Sequence, residues 1–310
     1  MMKRYEKLYF LAAKDDIYFL YILNMFIYFV LLVQQFIASG THIIAKVVVQ
    51  DVEPFTLTLM RSVLAAVGFL IIAAVRRTRF RFERKDYPLL LFLSFLAVPV
   101  NQFLFLLSMK YTVPTNAALF YAATPALVLF ISYLMRQEII TWKKGLGVAI
   151  AFGGILLIVF EKGINLQSDM FLGNVLLLIA VIAWVFYTVL GRRLIVRYGA
   201  FTTSSFTMIV GGIMFVPIGV TRLSWTELSY LTIGDWGGLL YLALGTSIIS
   251  YWIWYYALGK VAATKVAIFS NLQPVLTTIL AMMLLQQAIT TEFIIGGTVA
   301  LAGVVLAQFG

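Results

Sequence analysis

The chain has 310 residues, of which 62% are hydrophobic and only 12% charged. A soluble domain of this length carries about a quarter of its residues as charges, so composition selects a bilayer as the solvent, and no appended soluble domain is expected. The net charge of +10 does not point to nucleic acid, because the basic residues sit in short clusters between apolar runs.

With about 30 Å of hydrocarbon to cross at 1.5 Å per helical residue, the apolar runs predict ten spans. The first five lie near 18 to 45, 55 to 75, 87 to 108, 115 to 135 and 143 to 160. Five more follow near 171 to 190, 201 to 221, 235 to 257, 264 to 285 and 289 to 308. The expected fold is therefore all-α and polytopic. Its divisions are an N-terminal segment over 1–17, a first five-helix repeat over 18–161 and a second over 170–309. The run starting near Ile17 is too long for a signal-peptide core and reads as a first span.

Of the 23 Lys and Arg residues, eighteen fall in connections on one side and four on the other. Positive charge resists translocation, so that side is expected to be cytoplasmic, with both termini there and the chain in the cytoplasmic (inner) cell membrane.

Sliding the chain by 149 residues aligns 115–160 with 264–309 without a gap. Thr115 meets Thr264, Pro125 meets Pro274, Gln137 meets Gln286, Gly147 meets Gly296 and Gly154 meets Gly303. Apolar coincidences are cheap in membrane spans, but matched proline, glutamine and glycine are not. With an odd number of spans per copy, the second copy enters the membrane from the opposite side, which supports two near-equivalent packings around a midplane site.

Several patterns carry a resemblance over nearly the whole chain, from about Ile22 to Phe309. In the first half they are Ala45-Lys46, Leu59-Met60-Arg61-Ser62, Lys110-Tyr111-Thr112 through Asn116-Ala117-Ala118, Thr124-Pro125 and Gln137-Glu138. The second half adds Gly173-Asn174, Ala183-Trp184, Tyr187-Thr188, Tyr255-Tyr256-Ala257-Leu258 and Val266-Ala267-Ile268 leading to Leu272-Gln273-Pro274. As a set these resemble the EamA branch of the drug/metabolite transporter superfamily. The resemblance implies ten helices, cytoplasmic termini and export or exchange of amino acids, related metabolites or drugs. Two positions depart from the family pattern: Ala38-Ser39 stands where Trp-Gly is frequent, and Gln286-Gln287 where Gly-Glu is.

Intramembrane carboxylates are the usual proton carriers, and none lies away from span ends. Glu138, Glu161, Asp235 and Glu292 fall at boundaries and read as solvated caps. His42, the only histidine, lies one turn before Lys46. It reads either as an interfacial residue bonded to backbone or as a substrate contact. Arg61 reads either as a snorkelling or Asp51/Glu53-paired residue or as an attractor for a carboxylate.

Pro125 and Pro274 occupy matched places in the fourth and ninth spans, where proline frees a carbonyl and bends the helix; they are the expected hinges. Tyr121, Thr124, Ser270, Asn271 and Gln273 stand beside them. The 149 shift also sets Asn101 and Gln102 against Ser250 and Tyr251, with Trp254 one turn further on, while Trp184 and Tyr187 lie mid-span. The expected substrate-binding set is His42, Asn101, Gln102, Asn116, Tyr121, Trp184, Tyr187, Tyr251, Trp254, Asn271 and Gln273. Gly145, Ala149 and Gly153, together with Gly147 and Ala151 beside Gly296 and Ala300, are expected to bring helices close.

No phosphate-cradling glycine loop occurs, so an ATP-driven pump is excluded within this chain. One histidine, no cysteine and no mid-span acid leave no basis for an enzyme, a metal site or a cofactor. The expected partners are a small-molecule substrate and the lipid bilayer, with monomer and homodimer both open. A non-transporting scaffold or receptor-like protein remains the alternative.

Overall fold

The computed structural model describes residues 2–136, 141–159, 169–223 and 228–309; Gln137, Glu138 and Glu161 lie outside the described residues. Within them the chain forms ten long helices and no strand. The first half contains α1 (Met2–Asp51), α2 (Pro54–Val75), α3 (Arg84–Tyr111), α4 (Pro114–Leu134) and α5 (Trp142–Val159). The second contains α6 (Asp169–Tyr198), α7 (Ala200–Val220), α8 (Ile233–Leu258), α9 (Ala263–Leu285) and α10 (Thr291–Phe309). Eight of them are long and apolar enough to cross a membrane, and α5 and α10, of 18 and 19 residues, are the short pair. Large apolar side chains such as Phe29, Phe36, Ile71 and Ile213 lie open on the outer surface, the face lipid covers in a membrane protein.

The first span is displaced from its expected limits. The helix runs unbroken from Met2 and its membrane-length stretch is Met25–Asp51. Lys46 does not end it, because its amino group turns onto the carbonyls of Met109 and Thr112, both at 2.8 Å, where a cation suits the C-terminus of α3. Pro54 then starts α2 from the first position that tolerates proline. The sixth helix also outruns its expected end and continues through Arg192, Arg193 and Arg197 to Tyr198.

Packing between the halves is reciprocal. Contact of α1 with α8 is matched by contact of α6 with α3, α1 with α9 by α6 with α4, and α2 with α8 by α7 with α3. Three helices pack directly on their own counterparts, α2 on α7, α4 on α9 and α5 on α10. Such a pattern belongs to two antiparallel copies related by a two-fold axis. The irregularities are matched as well. Both α3 and α8 contain a π-helical stretch, Leu96–Gln102 and Tyr241–Ser250. The first encloses Pro99, which has no N–H to give to a regular ladder. Helix α4 is interrupted at Ala123 and resumes at Thr124 with Pro125 in its first turn. In the same register α9 tightens to a 3-10 turn over Ile268–Asn271 ahead of Pro274.

On the membrane face that carries the basic loops, the two halves are clasped. Gly199, at φ +86, supplies the turn between α6 and α7. Just before it, Tyr198 Oη donates to Asp86 Oδ2 at 2.5 Å, and Arg197 Nη1 donates to the same oxygen at 2.8 Å. Arg197 also pairs with Glu83. Lys85, and then Arg197, hold the Glu83 carboxyl below the ordinary carboxylate range. Its contribution is therefore present at neutral pH and is lost as pH falls through that depressed value.

The crossing of α5 and α10 replaces the stripe expected at Gly145, Ala149 and Gly153. A Cβ on Gly153 would meet nothing within 4 Å, and Gly145 and Ala149 line a lateral apolar crevice instead. The close face is one position round the helix. A Cβ on Gly154 would lie 2.3 Å from Ala300 N, and one on Gly303 would lie 2.2 Å from Ala151 N. These are matched contacts under the 149 shift. Gly154→Leu is expected to force the backbones apart and lower the melting temperature of the purified protein. Gly153→Ala is expected to leave it unchanged or raise it, by up to about 1 kcal/mol of helix propensity. Equal losses in both variants would contradict the assigned face.

Candidate functional site

A cavity of about 60 Å³ lies where the two halves meet. The first half contributes Gln34, Ala38, Thr41 and His42 from α1, Arg61 from α2, Asn101, Gln102 and Phe105 from α3, and Tyr121 from α4. The second contributes Trp184 from α6, Thr246, Ser250, Tyr251 and Trp254 from α8, and Ser270 and Gln273 from α9. Spacings of four and three residues put Gln34, Ala38, Thr41 and His42 on one face of α1. Asn101, Gln102, Thr246 and Ser250 lie on the two π-helical stretches, and such stretches recur at functional sites.

The wall is built from hydrogen bonds between side chains. Gln273 Nε2 donates to Gln35 Oε1 at 2.8 Å, Gln35 Nε2 to Gln34 Oε1 at 2.5 Å, and Gln34 Nε2 to Ser250 Oγ at 2.9 Å. Gln273 Oε1 is left to face His42 Nε2 at 3.0 Å. An amide oxygen only accepts, so His42 carries its proton on Nε2. Asn101 is fully engaged: its Nδ2 donates to Tyr121 Oη and to the Ala180 carbonyl, both at 2.8 Å, and its Oδ1 accepts from Tyr251 Oη at 2.7 Å. Trp184 meets Tyr251 edge-on at 4.9 Å between ring centroids and Trp254 at 5.2 Å. Together they form an aromatic wall of the cavity.

Three buried polar atoms of the lining have no hydrogen-bond partner among the described residues: His42 Nδ1, Arg61 Nη1 and Ser270 Oγ. Buried polar groups are almost always paired, so three orphans around one cavity mark a place that a solute or water completes. Arg61 is not the partner of Asp51 or Glu53, because Glu53 pairs with Lys110 at 2.5 Å and Asp51 is exposed. His42 is likewise not an interfacial residue bonded to backbone; it is buried and bonds a side chain. Asp235 closes a capping box with Thr232 at the start of α8, which is the role expected of a boundary acid. Among the described residues no cluster of side chains suits a metal ion.

Of the eleven expected contacts, eight line the cavity: His42, Asn101, Gln102, Tyr121, Trp184, Tyr251, Trp254 and Gln273. Three do not. Asn116 turns toward Thr112 and Asn174 at the end of α3. Tyr187 stacks behind Trp184 and on Tyr255, with its hydroxyl on Thr207, and Asn271 is not among the lining residues. Gln34, Thr41 and Thr246 line it although the sequence analysis did not single them out. The signal for the first two was present, as a polar stripe at helical spacing on an otherwise apolar first span.

Gln273→Ala strands both His42 Nε2 and Gln35 Oε1, and is expected to cost about 1–3 kcal/mol of stability. Asn271→Ala removes an amide whose Oδ1 is already unpartnered and is expected to change stability by less than about 0.5 kcal/mol. Denaturation of both variants in the same detergent checks the difference.

Comparison with known proteins agrees with this arrangement. A model of the EamA-like transporter family matches twice, at residues 25–160 and 171–309. An uncharacterized transporter of Bacillus subtilis, YyaM, is 27% identical over 91% of this chain and 93% of its own. One from Archaeoglobus fulgidus is 28% identical over 86% and 92%. The WAT1-related protein At3g18200 of Arabidopsis thaliana is 26% identical over 90% and 80%. A solved crystal structure with 16% identity superposes with a TM-score of 0.66 over 91% of this chain and 95% of that one, a likeness of fold.

Proposed function

The chain belongs to the EamA-like transporter family, and from that premise we propose that it is a secondary transporter, an exporter or exchanger of small metabolites such as amino acids or amphipathic compounds, working by alternating access. It sits in the cell membrane with both termini cytoplasmic, the basic loops facing the cytoplasm. The observation that carries this reading is the cavity itself, buried between the halves and lined by polar and aromatic side chains from both.

The moving bodies are the two five-helix units, 18–161 and 170–309. At about 60 Å³ the cavity is well below the roughly 300–1,000 Å³ of a typical small-molecule site, so a solute enters only as the walls part. The interruptions in α3, α4, α8 and α9 supply the give, with Pro125 and Pro274 as matched hinges. Parting on the basic face requires Arg197 and Tyr198 to leave Glu83 and Asp86; parting on the other face does not.

Liposomes containing only the purified chain are expected to show flux of at least one solute among amino acids, nucleosides and amphipathic amines. The chain has no cysteine, so Ala38→Cys places a single reactive thiol in the cavity. An impermeant maleimide is expected to label that variant from one face, and Arg197→Gln added to it to shift labelling toward the basic face. Absence of flux for every solute class, with labelling fixed to one face, would instead favour a scaffold.

A further inference from the structure

Arg61 carries a positive charge into the interior of the bundle and has no counterion there. The residue is 2% exposed, its Nε donates to Ser247 at 2.8 Å, and its Nη1, facing the same interior, meets no acceptor. No ion pair among the described residues includes it. A guanidinium keeps its proton in proteins, and a bare charge among apolar walls is costly unless something pairs with it. Arg61 is also the one charged side chain of the cavity lining. An incoming group with a single negative charge neutralises the site. A phosphate ester brings a second charge that nothing answers, and an amine without an acid adds to the charge already there.

His42 specifies the other end of the solute. With the ring proton held on Nε2 by Gln273, Nδ1 is an acceptor that no donor reaches, so it calls for an O–H or N–H. Trp184, Tyr251 and Trp254 take up what remains, an apolar or aromatic body.

We infer that, within the transport reading on which this rests, the solute is an organic acid with a single carboxylate. Its carboxylate docks on the guanidinium of Arg61, its hydroxyl or amino hydrogen meets His42 Nδ1, and its apolar part lies against the aromatic wall. The fork of donors on arginine matches the two oxygens of a carboxylate, and the buried, unpaired Nη1 is the donor left open for it.

The test uses the purified chain with five probes that share a phenyl ring: L-phenylalanine, 3-phenyllactate, L-phenylalaninamide, 2-phenylethylamine and phenyl phosphate. Melting shifts report binding, and the same compounds are followed across liposomes. The two acids are expected to raise the melting temperature, and the amide, the amine and the phosphate to bind at least about tenfold more weakly. Arg61→Met is expected to weaken acid binding by at least about tenfold while leaving the amide unchanged. Free of ligand, Arg61→Met is expected to melt no lower than the unaltered chain, because it removes an uncompensated charge. A lower ligand-free melting temperature would make Arg61 a structural residue and overturn the assignment. So would equal affinity for acid and amide, or no response to either acid. Flux of the amine or amide at the rate of the acids sinks the acid assignment and leaves transport standing. Acid-dependent melting without flux of any solute sinks the transport reading and leaves the acid site standing.

Discussion

Hydrocarbon offers no hydrogen-bond partner, and the arrangement of this chain follows from that constraint. Backbone groups are satisfied by making every crossing helical, and polar side chains are satisfied by turning them toward one another. Gln34, Gln35, Gln273, Ser250 and His42 form a continuous chain of such bonds across three helices. Asn101 gathers two tyrosines and a backbone carbonyl. Three of the buried polar atoms left without a partner among the described residues, His42 Nδ1, Arg61 Nη1 and Ser270 Oγ, lie on one cavity.

The same constraint explains why helix irregularities occur where they do. A π-helical stretch or a broken turn exposes backbone groups, which is tolerable only inside protein or beside water. Leu96–Gln102, Tyr241–Ser250, the interruption at Ala123 and the tight turn at Ile268–Asn271 all lie on helices that line the cavity. Their matched positions mean that whatever deformation one half permits, the other permits in the opposite sense. At the far edge the α5–α10 crossing has no such slack, because backbone meets backbone at Gly147, Gly154 and Gly303. Rigid contact at one edge and irregular helices at the centre are the arrangement that the proposed rocking motion calls for.

Much of this was legible in the sequence because the repeat leaves uncommon residues in register. Pro125 with Pro274 and the Asn101-Gln102 pair against Ser250-Tyr251 led directly to helices that line the cavity. Less legible were rotations of a few tens of degrees about a helix axis. Asn271 is only two residues from Gln273, but residues two apart on a helix do not share a face, and only Gln273 lines the cavity. Asn116 sits five residues before Tyr121, and that separation turns it to the end of α3. Arg61 was ambiguous for another reason: whether a buried cation is paired depends on where Asp51 and Glu53 point, and Glu53 is taken by Lys110. Gln34 and Thr41 lie within the expected first span, but the gapless repeat alignment covers only 115–160 and 264–309, so neither carried a repeat signal.

Charge at the site bears on how the carrier would turn over. Empty, the cavity holds one guanidinium and no counterion, and any rearrangement that narrows the site around it must desolvate that charge further. Filled by a carboxylate, the pair is close to neutral and the closing step no longer carries the same electrostatic cost. A carrier built in this way reorients more readily loaded than empty, which favours exchange of one acid for another over net movement of a single solute. The absence of a mid-span carboxylate in the sequence points the same way. With no mid-span acid to discharge Arg61 between cycles, the proposed exchange would have the returning solute itself neutralise it.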